Sequence, residues 1–447
     1  MVARVVTARV PDAACPGALR AVPALDGLLA RIRTPGGLVS IAQVRALAAI
    51  ARTFGDGRID ITARASVQLR GIAAEGLAPL GDALEAAGLL PSRSHDRVRN
   101  IVAPALTGFD PGELVDVAPL VRALDAAIVA TPALADLPAK FAFGLDCGAR
   151  GSLARGDLVL RAHRAGGRVV MSLAIGGRPS DVYVPPAAAA RVLVRAALAA
   201  IEAARALGAP DRLWRLAELP AADARVVAAA RALGSNETPE PTSADIVQNK
   251  TFEPFEAAER PAAAARPLGA LPSRNAGRAV LVPSVPLGRL TAAQLDALAA
   301  LAEAARADVR LGPWRGVALC DIAHAGVDRA ALELARIGLP LDGRDGFAGL
   351  AACAGIGGCA HALADVRGDA RTIAGMRRGA ATSPTLNLAG CAKRCGMRRG
   401  AALDLVATPE GYDVLAAGRL VRRGASSGDA CRAALASADA LAACGAT

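Results

Sequence analysis

The chain has 447 residues, 53% hydrophobic and only 2% aromatic, with a formal net charge of +11 and an isoelectric point near 9.8. That length holds roughly two to four domains with cores of their own, and the basic balance favours an acidic partner or substrate. Positive charge that forms neither run nor tail, with almost no stacking aromatics, speaks against nucleic acid. The N-terminus lacks an apolar h-region, and no uncharged apolar run reaches about 18 residues, so neither a secretory signal nor a membrane span is expected. Nine cysteines, an odd number, then point to a reducing, cytoplasmic setting.

Leu28, Ala30 and Ile32 alternate as in a strand, and Pro35-Gly36-Gly37 reads as a turn. Ser40 caps a predicted helix through about Phe54, with Ile41, Val44, Leu47, Ala48 and Ala51 on one face. Gly55-Asp56-Gly57 ends it. Extended segments follow at Ile59/Ile61 and Val67/Leu69, then a helix over Leu77–Ala87. The order returns about 250 residues later. Leu290–Leu298 repeats the first helix, Val309–Leu311 matches Ile59–Ile61, and Val317–Ile322 matches Val67–Ile72. Two copies are too few for a solenoid and predict a pseudo-twofold molecule with a site between its halves.

Each copy is followed by a larger segment. The first, about 92–232, contains His95–Ile101, a predicted helix from about Glu113 to Val129, the stretch Leu137–Phe143, strands near Leu158–Ala162 and Val169–Ala174, and a helix-rich Pro186–Leu207. Gly234–Ser243 and a Pro- and Ala-rich tract to about 268 read as a linker. The second larger segment, 346–440, carries Cys353-x5-Cys359 and Cys391-x3-Cys395.

Four thiols in two pairs can converge on one inorganic centre. The x3 pair has the i,i+4 spacing of one helical turn; Gly355, Gly357 and Gly358 let the x5 loop wrap closely around something bulky. A [4Fe–4S] cube needs such a set. Structural zinc fits the x5 spacing poorly, disulfides lack an oxidising compartment, and plain buried cysteines remain an alternative. Cys15, Cys147, Cys320, Cys431 and Cys444 show no ligand spacing and read as packing residues. Gly355-Ile-Gly357-Gly-Cys-Ala360 imitates a dinucleotide fingerprint, but no convincing strand precedes it and no acidic residue lies about twenty residues on. Without a flavin or nucleotide domain, electrons must come from an external reductase or ferredoxin-like carrier.

With these residues in view, the chain resembles the sulfite and nitrite reductase superfamily. The resemblance is carried by C-x5-C with Ala389-Gly390 before C-x3-C, by Thr62–Ile72, by Arg97-Val98-Arg99-Asn100 and by Leu137–Phe141. It implies an α+β, duplicated architecture: ferredoxin-like half-domain 1 at 1–91, an α+β domain at 92–232, a linker at 233–275, half-domain 2 at 276–345 and a cluster domain at 346–447. It implies Cys353, Cys359, Cys391 and Cys395 as [4Fe–4S] ligands. Arg64, Gln68, Arg70, Arg97, Arg99 and Asn100 become substrate-pocket residues and Lys140 a catalytic one. Sirohaem members carry K-F-K where this chain has Lys140-Phe141-Ala142. That departure, with Asp146 and Gly148 after it, is more similar to the precorrin-3B synthase branch, O2-dependent mono-oxygenases of aerobic cobalamin synthesis acting on the acidic tetrapyrrole precorrin-3A. That branch implies a second non-haem iron; His95, His163, His324 and His361 show no facial-triad spacing that would locate it. Arg394, inside C-x3-C, is a further departure. The alternatives are a sirohaem-dependent sulfite or nitrite reductase, and a non-enzymatic iron–sulfur carrier, which would need far fewer residues.

Overall fold

The computed structural model describes residues 15–149, 154–208, 215–232, 267–379, 385–397 and 401–432. The predicted linker stretch Gly234–Ser243 and Cys444 lie outside the described residues.

The first half-domain runs β1 (Val22–Ala24), β2 (Gly27–Ile32), β3 (Leu38–Val39), α1 (Ile41–Phe54), β4 (Arg58–Ile61), β5 (Val67–Ile72) and α2 (Leu77–Ala86). Ser40 starts α1 through a capping box: its hydroxyl accepts from the Gln43 amide, and Gln43 Oε1 accepts from the Ser40 amide. The large segment follows with β6 (Ile101–Val102), α3 (Ala118–Val129), β7 (Phe143–Asp146), β8 (Leu158–Ala165), β9 (Arg168–Ile175), β10 (Arg178–Val184), α4 (Ala189–Ala206) and α5 (Asp223–Arg231). The second half-domain is β11 (Gly269–Pro272), β12 (Arg278–Val282), β13 (Arg289–Thr291), α6 (Ala292–Ala305), β14 (Asp308–Gly312), β15 (Gly316–Ala323) and α7 (Val327–Arg336). The last segment is β16 (Leu350–Ala352), α8 (Val366–Met376), β17 (Leu386–Ala389), β18 (Leu403–Thr408), β19 (Gly411–Ala416) and β20 (Arg419–Ala425).

The predicted duplication is present, and it is reciprocal. The half-domain sheets have the orders β1-β2-β5-β4-β13 and β11-β12-β15-β14-β3, so each half lends one short strand to the other. Leu290 pairs with Ile59, and Val39 pairs with Val309. Thr291 and Gln294 repeat the capping box at α6, and Gln294 donates to the Ile337 carbonyl as Gln43 does to Gly88. One apolar core, including Val44, Leu47, Leu69, Leu295, Leu298 and Leu319, runs through both halves. The larger segments are also copies of one plan. In each, three parallel strands are followed by two antiparallel ones, and a helix links the first two strands (β6-α3-β7 and β16-α8-β17).

Two expectations change, and one strand, β7, goes unpredicted. The helix expected from Glu113 begins at Ala118, because Glu113 accepts from the Gly108 amide and the Thr107 hydroxyl and pairs with Arg274, organising a loop instead of a first turn. The linker expected to run to 275 gives way to β11, which pairs with β12. The strand β7 has no alternation to read, because all four of its residues are buried in a sheet centre with parallel neighbours.

Replacing Thr291 by Ala removes one cap and should cost about 1 kcal/mol, read as a lower denaturation midpoint. His163, on β8, shares a 2.7 Å hydrogen bond with the Ser172 hydroxyl, and burial, with Arg161 adding repulsion, pulls its pKa down to about 4. The folded protein then resists a proton that the unfolded chain accepts near pH 6.5, so this contribution to stability is lost as pH falls from about 6.5 toward 4. A His163→Gln variant should show a shallower fall in melting temperature across that window.

Candidate functional site

The cysteines emerge from the carboxyl ends of two adjacent parallel strands, where open sheets of this kind place their ligands. Cys353 directly follows β16, and Gly390-Cys391 directly follows β17. The Cys353 amide donates to the Leu388 carbonyl at 3.2 Å, and the Gly390 amide donates to Cys353 Sγ at 3.2 Å. In the x5 loop Gly355 and Gly357 have φ of 72° and 86°, left-handed values that favour glycine. A Cβ on Gly390 would lie 2.9 Å from that of Ala362, so the close approach of the two loops requires glycine there as well.

The x3 pair does not sit on a helix. Residues 391–395 form a turn in which the Arg394 amide donates to the Cys391 carbonyl and Arg394 takes φ of 47°. The local geometry of this turn, not helical periodicity, presents the two thiols. Arg394, the departure inside the motif, pairs with Asp404 at 3.3 Å, and Asn387 bridges Asp404 and the Met397 carbonyl. The dinucleotide-like glycines are preceded by a strand after all, β16, but no helix opens at them; α8 begins only at Val366.

All four thiols are free and line a single cavity of about 520 Å³. Among the described residues, no three His, Cys, Asp or Glu side chains form a group that could hold a metal ion. Four thiols lining one cavity are the ligand number that a [4Fe–4S] cluster needs. The same finding leaves the expected second iron without a ligand set among the described residues. His95, His163 and His324 are each hydrogen-bonded to protein, to Thr131, Ser172 and Arg278 in turn, and His361 alone lines the cavity.

Arginines from three segments lock the loops around this cavity. Arg70 makes a bidentate pair with Asp26 and also donates to the Gly358 carbonyl in the x5 loop. Asp60 accepts from Arg289 at 2.5 Å and Arg367 at 3.3 Å, and Arg289 reaches Asp56 as well. Arg315 donates to the Cys395 carbonyl at 3.2 Å. Burial lowers the pKa of both Arg315 and Arg367, with Asp60 opposing.

Of the residues expected in the pocket, Gln68 and Arg70 line this cavity with the cysteines. Val67 and Leu69, alternating with them on β5, enter the core. Arg64 belongs to a second group with Arg31, Arg33 and Arg215, which sequence reasoning missed. Burial is the main cause that lowers the pKa of Arg33, to about 9, and that of Arg64, to about 10; Arg31 repels both, and Arg215 repels Arg64. Arg31 Nε and Arg33 Nε and Nη1 are buried without a protein partner. The signal was present in Arg31-Ile-Arg33 before the Pro-Gly-Gly turn. Asn100 spends its side-chain amide on the carbonyls of Arg97, Ala139 and Phe141, so it pins the loop on both sides of half-buried Lys140. Arg99 lies elsewhere: it is buried, bidentate to Asp125 on α3, and lines a different cavity. Half-buried Arg97 presents its carbonyl to Arg33 and Asn100. The Ala142 amide donates to Asp157, which also binds Arg215.

The family model described as nitrite/sulfite reductase ferredoxin-like half domain matches residues 23–87 and again 272–337, and that described as nitrite and sulphite reductase 4Fe-4S domain matches 94–216. The chain belongs to the sulfite and nitrite reductase superfamily. Within it the chain is 29% identical to a precorrin-3B synthase from Sinorhizobium sp, over 91% of this chain and 83% of that protein. It is 28% identical to a ferredoxin–nitrite reductase from Synechococcus elongatus, over 88% and 80%. The solved structure of the Mycobacterium tuberculosis NirA protein superposes with a TM-score of 0.64 at 20% identity, covering 89% of this chain and 77% of that one, and shares the fold. This superfamily member is therefore an iron–sulfur oxidoreductase in class. Among the described residues, no helix is long and apolar enough to cross a membrane.

Arg70→Met leaves Asp26 unpaired and frees the x5 loop. It should destabilise the protein by about 2–3 kcal/mol, measured by denaturant unfolding, and should raise the reactivity of Cys359 toward a thiol reagent.

Proposed function

We propose that this superfamily member is a mono-oxygenase of the precorrin-3B synthase type, acting on precorrin-3A. The observation that carries the reading is Ala142. The resemblance places a second anion-binding lysine there in sirohaem reductases, whereas here a methyl group stands beside a backbone amide bound to Asp157. Reduction of a small oxyanion needs cations gathered around it and many protons, and this position supplies none. Buried Arg33 with half-buried Arg31, Arg64 and Arg215 instead suits a large ligand edged with carboxylates, which guanidinium groups pair in bidentate fashion.

In this reading Cys353, Cys359, Cys391 and Cys395 hold a [4Fe–4S] cluster, which supplies electrons one at a time when bound. The residues of the chain do the rest. Arg31, Arg33, Arg64 and Arg215 bind carboxylate arms, and Gln68 and Arg70 shape the wall between substrate and cluster. Asn100 orients the loop that carries Lys140, whose ammonium acts as acid toward the reacting edge. One oxygen atom of O2 enters a ring-junction carbon, and an acetate side chain closes to a lactone. The other oxygen atom leaves as water with two electrons and two protons, the electrons coming from an external reductase or ferredoxin. The protein works in the cytoplasm.

The second reading, a sirohaem-dependent nitrite or sulfite reductase, is favoured by the Synechococcus relative, whose identity and coverage nearly equal those of the first. Anaerobic purification with cluster reconstitution, followed by visible and EPR spectra with precorrin-3A and then O2, separates the two. The mono-oxygenase reading expects no sirohaem, binding of precorrin-3A, and a hydroxylactone formed only with O2. Sirohaem bound on isolation, with reduction of nitrite or sulfite, overturns it. Arg64→Met should weaken precorrin-3A binding at least about tenfold while leaving iron content unchanged.

A further inference from the structure

The two half-domains share the turn between their last two strands, and the comparison isolates one side chain. In the first copy the turn runs from Thr62 to Ser66, the Ala65 amide donates to the Thr62 carbonyl, and Ala65 has φ of 55°. In the second, the Arg315 amide donates to the Gly312 carbonyl and Arg315 has φ of 64°. The surroundings correspond too. A Cβ on Gly37 would lie 3.0 Å from the Cβ of Ala65, and one on Gly288 would lie 2.8 Å from the Cβ of Arg315. The left-handed backbone thus belongs to the repeat, and what distinguishes the second copy is the side chain placed on it. Such a conformation costs about 1 kcal/mol or more for a residue other than glycine. In the first copy the methyl of Ala65 is buried, whereas in the second an arginine reaches out of its own half-domain into the cysteine-lined cavity.

We propose that Arg315 is a positioning residue for the iron–sulfur cluster, holding the Cys391–Cys395 turn by its last carbonyl and setting a permanent positive charge beside the cluster that raises its reduction potential. The inference rests on the reading that the four cysteines hold a cluster. Its geometry is the 3.2 Å bond from Arg315 Nη2 to the Cys395 carbonyl, with the guanidinium within the electrostatic reach of both Cys353 and Cys395. Asp60, the carboxylate lining the same cavity, attracts Arg315 as well, but its oxygens are hydrogen-bonded to Arg289 and Arg367. Arg367, Lys393 and His361 also line the cavity, but they belong to the same segment as the cysteines. Arg70, from the first half-domain, lines the cavity too but is bound in bidentate fashion by Asp26, and Arg315 is the cation that the second half-domain contributes. An electron added to a thiolate-ligated centre increases its negative charge, and a fixed cation in a poorly solvated wall favours that step. An arginine does this at any working pH, because it stays protonated.

The test uses the full chain, reconstituted anaerobically, with iron and sulfide counted before a redox titration followed by EPR. Arg315→Met is expected to keep its iron and to lower the one-electron reduction equilibrium at least about tenfold, a shift of about 59 mV. Arg315→Lys, which keeps the charge, is expected to recover most of that shift. A loaded Arg315→Met protein with the wild-type potential overturns the proposal, and so does a loaded Arg315→Lys protein as far shifted as the Met variant. If the Met variant loses its iron, the Lys variant decides: loaded with a near-wild-type potential it supports the proposal, and loaded with a shifted potential it overturns it. A wild-type chain that takes up no iron fails at an earlier step, since it removes the cluster reading itself and this inference with it.

Discussion

The exchange of β3 and β13 is the constraint on which the molecule depends. Two short strands cross between the half-domain sheets, so neither half can complete its sheet or close its core alone. The exchange fixes Asp60 on β4 opposite Arg289 on β13, and that pair in turn receives Arg367 from α8. A backbone ladder thus becomes an ionic bracket that fixes the cysteine domain to both halves. Half-buried bridges of this kind contribute modestly to net stability because desolvation offsets much of the attraction. Their greater effect is on register: three separate segments can meet at Asp60 in only one arrangement, and that arrangement brings the cysteine loops against β5.

Charge is distributed in two separate groups with different jobs. Around the thiols, Arg70, Arg289 and Arg367 are paired with carboxylates or spent on loop carbonyls, so they hold shape. In the group formed by Arg31, Arg33, Arg64 and Arg215, burial and then repulsion from neighbouring arginines act against the charged state of Arg33 and Arg64, and three guanidinium nitrogens of Arg31 and Arg33 lack protein partners. A folded chain retains such a group at a cost, since unpaired buried donors are expensive. On the proposed reading, a polyanionic ligand would offset that cost.

The sequence made the duplication legible because both of its signals are local. Capping residues at Ser40 and Thr291 mark the helix starts, and period-two alternation marks Ile59–Ile61 and Val67–Ile72. What stayed hidden depends on tertiary context. The strand β7 is buried on every residue and shows no period, and Glu113 looked like a helix start until Gly108, Thr107 and Arg274 claimed its carboxylate. The site divides in the same way. Cysteine spacing singled out four thiols that line one cavity, and the resemblance named Gln68 and Arg70, which line it with them while Val67 and Leu69 enter the core. A motif cannot say where a guanidinium ends, however: Arg99 turned to Asp125, and Arg31 and Arg33 were passed over as strand residues.

The two large segments show how one plan came to hold two different contents. The family match to a 4Fe-4S domain falls on 94–216, a stretch whose one cysteine, Cys147, is fully buried. In that copy the loop after β6 is closed by Thr107, Glu113 and Asp116, with Arg274 reaching in from the second half-domain. In the other copy the loops after β16 and β17 carry four thiols, and it is Arg315 that reaches in from the second half-domain. The match and the cysteine spacing therefore rest on different residues in different copies. A strand-end loop filled by a carboxylate network is rigid and closed. One stripped to glycines and thiols stays open, and it keeps its shape only because arginines from neighbouring segments hold it from outside.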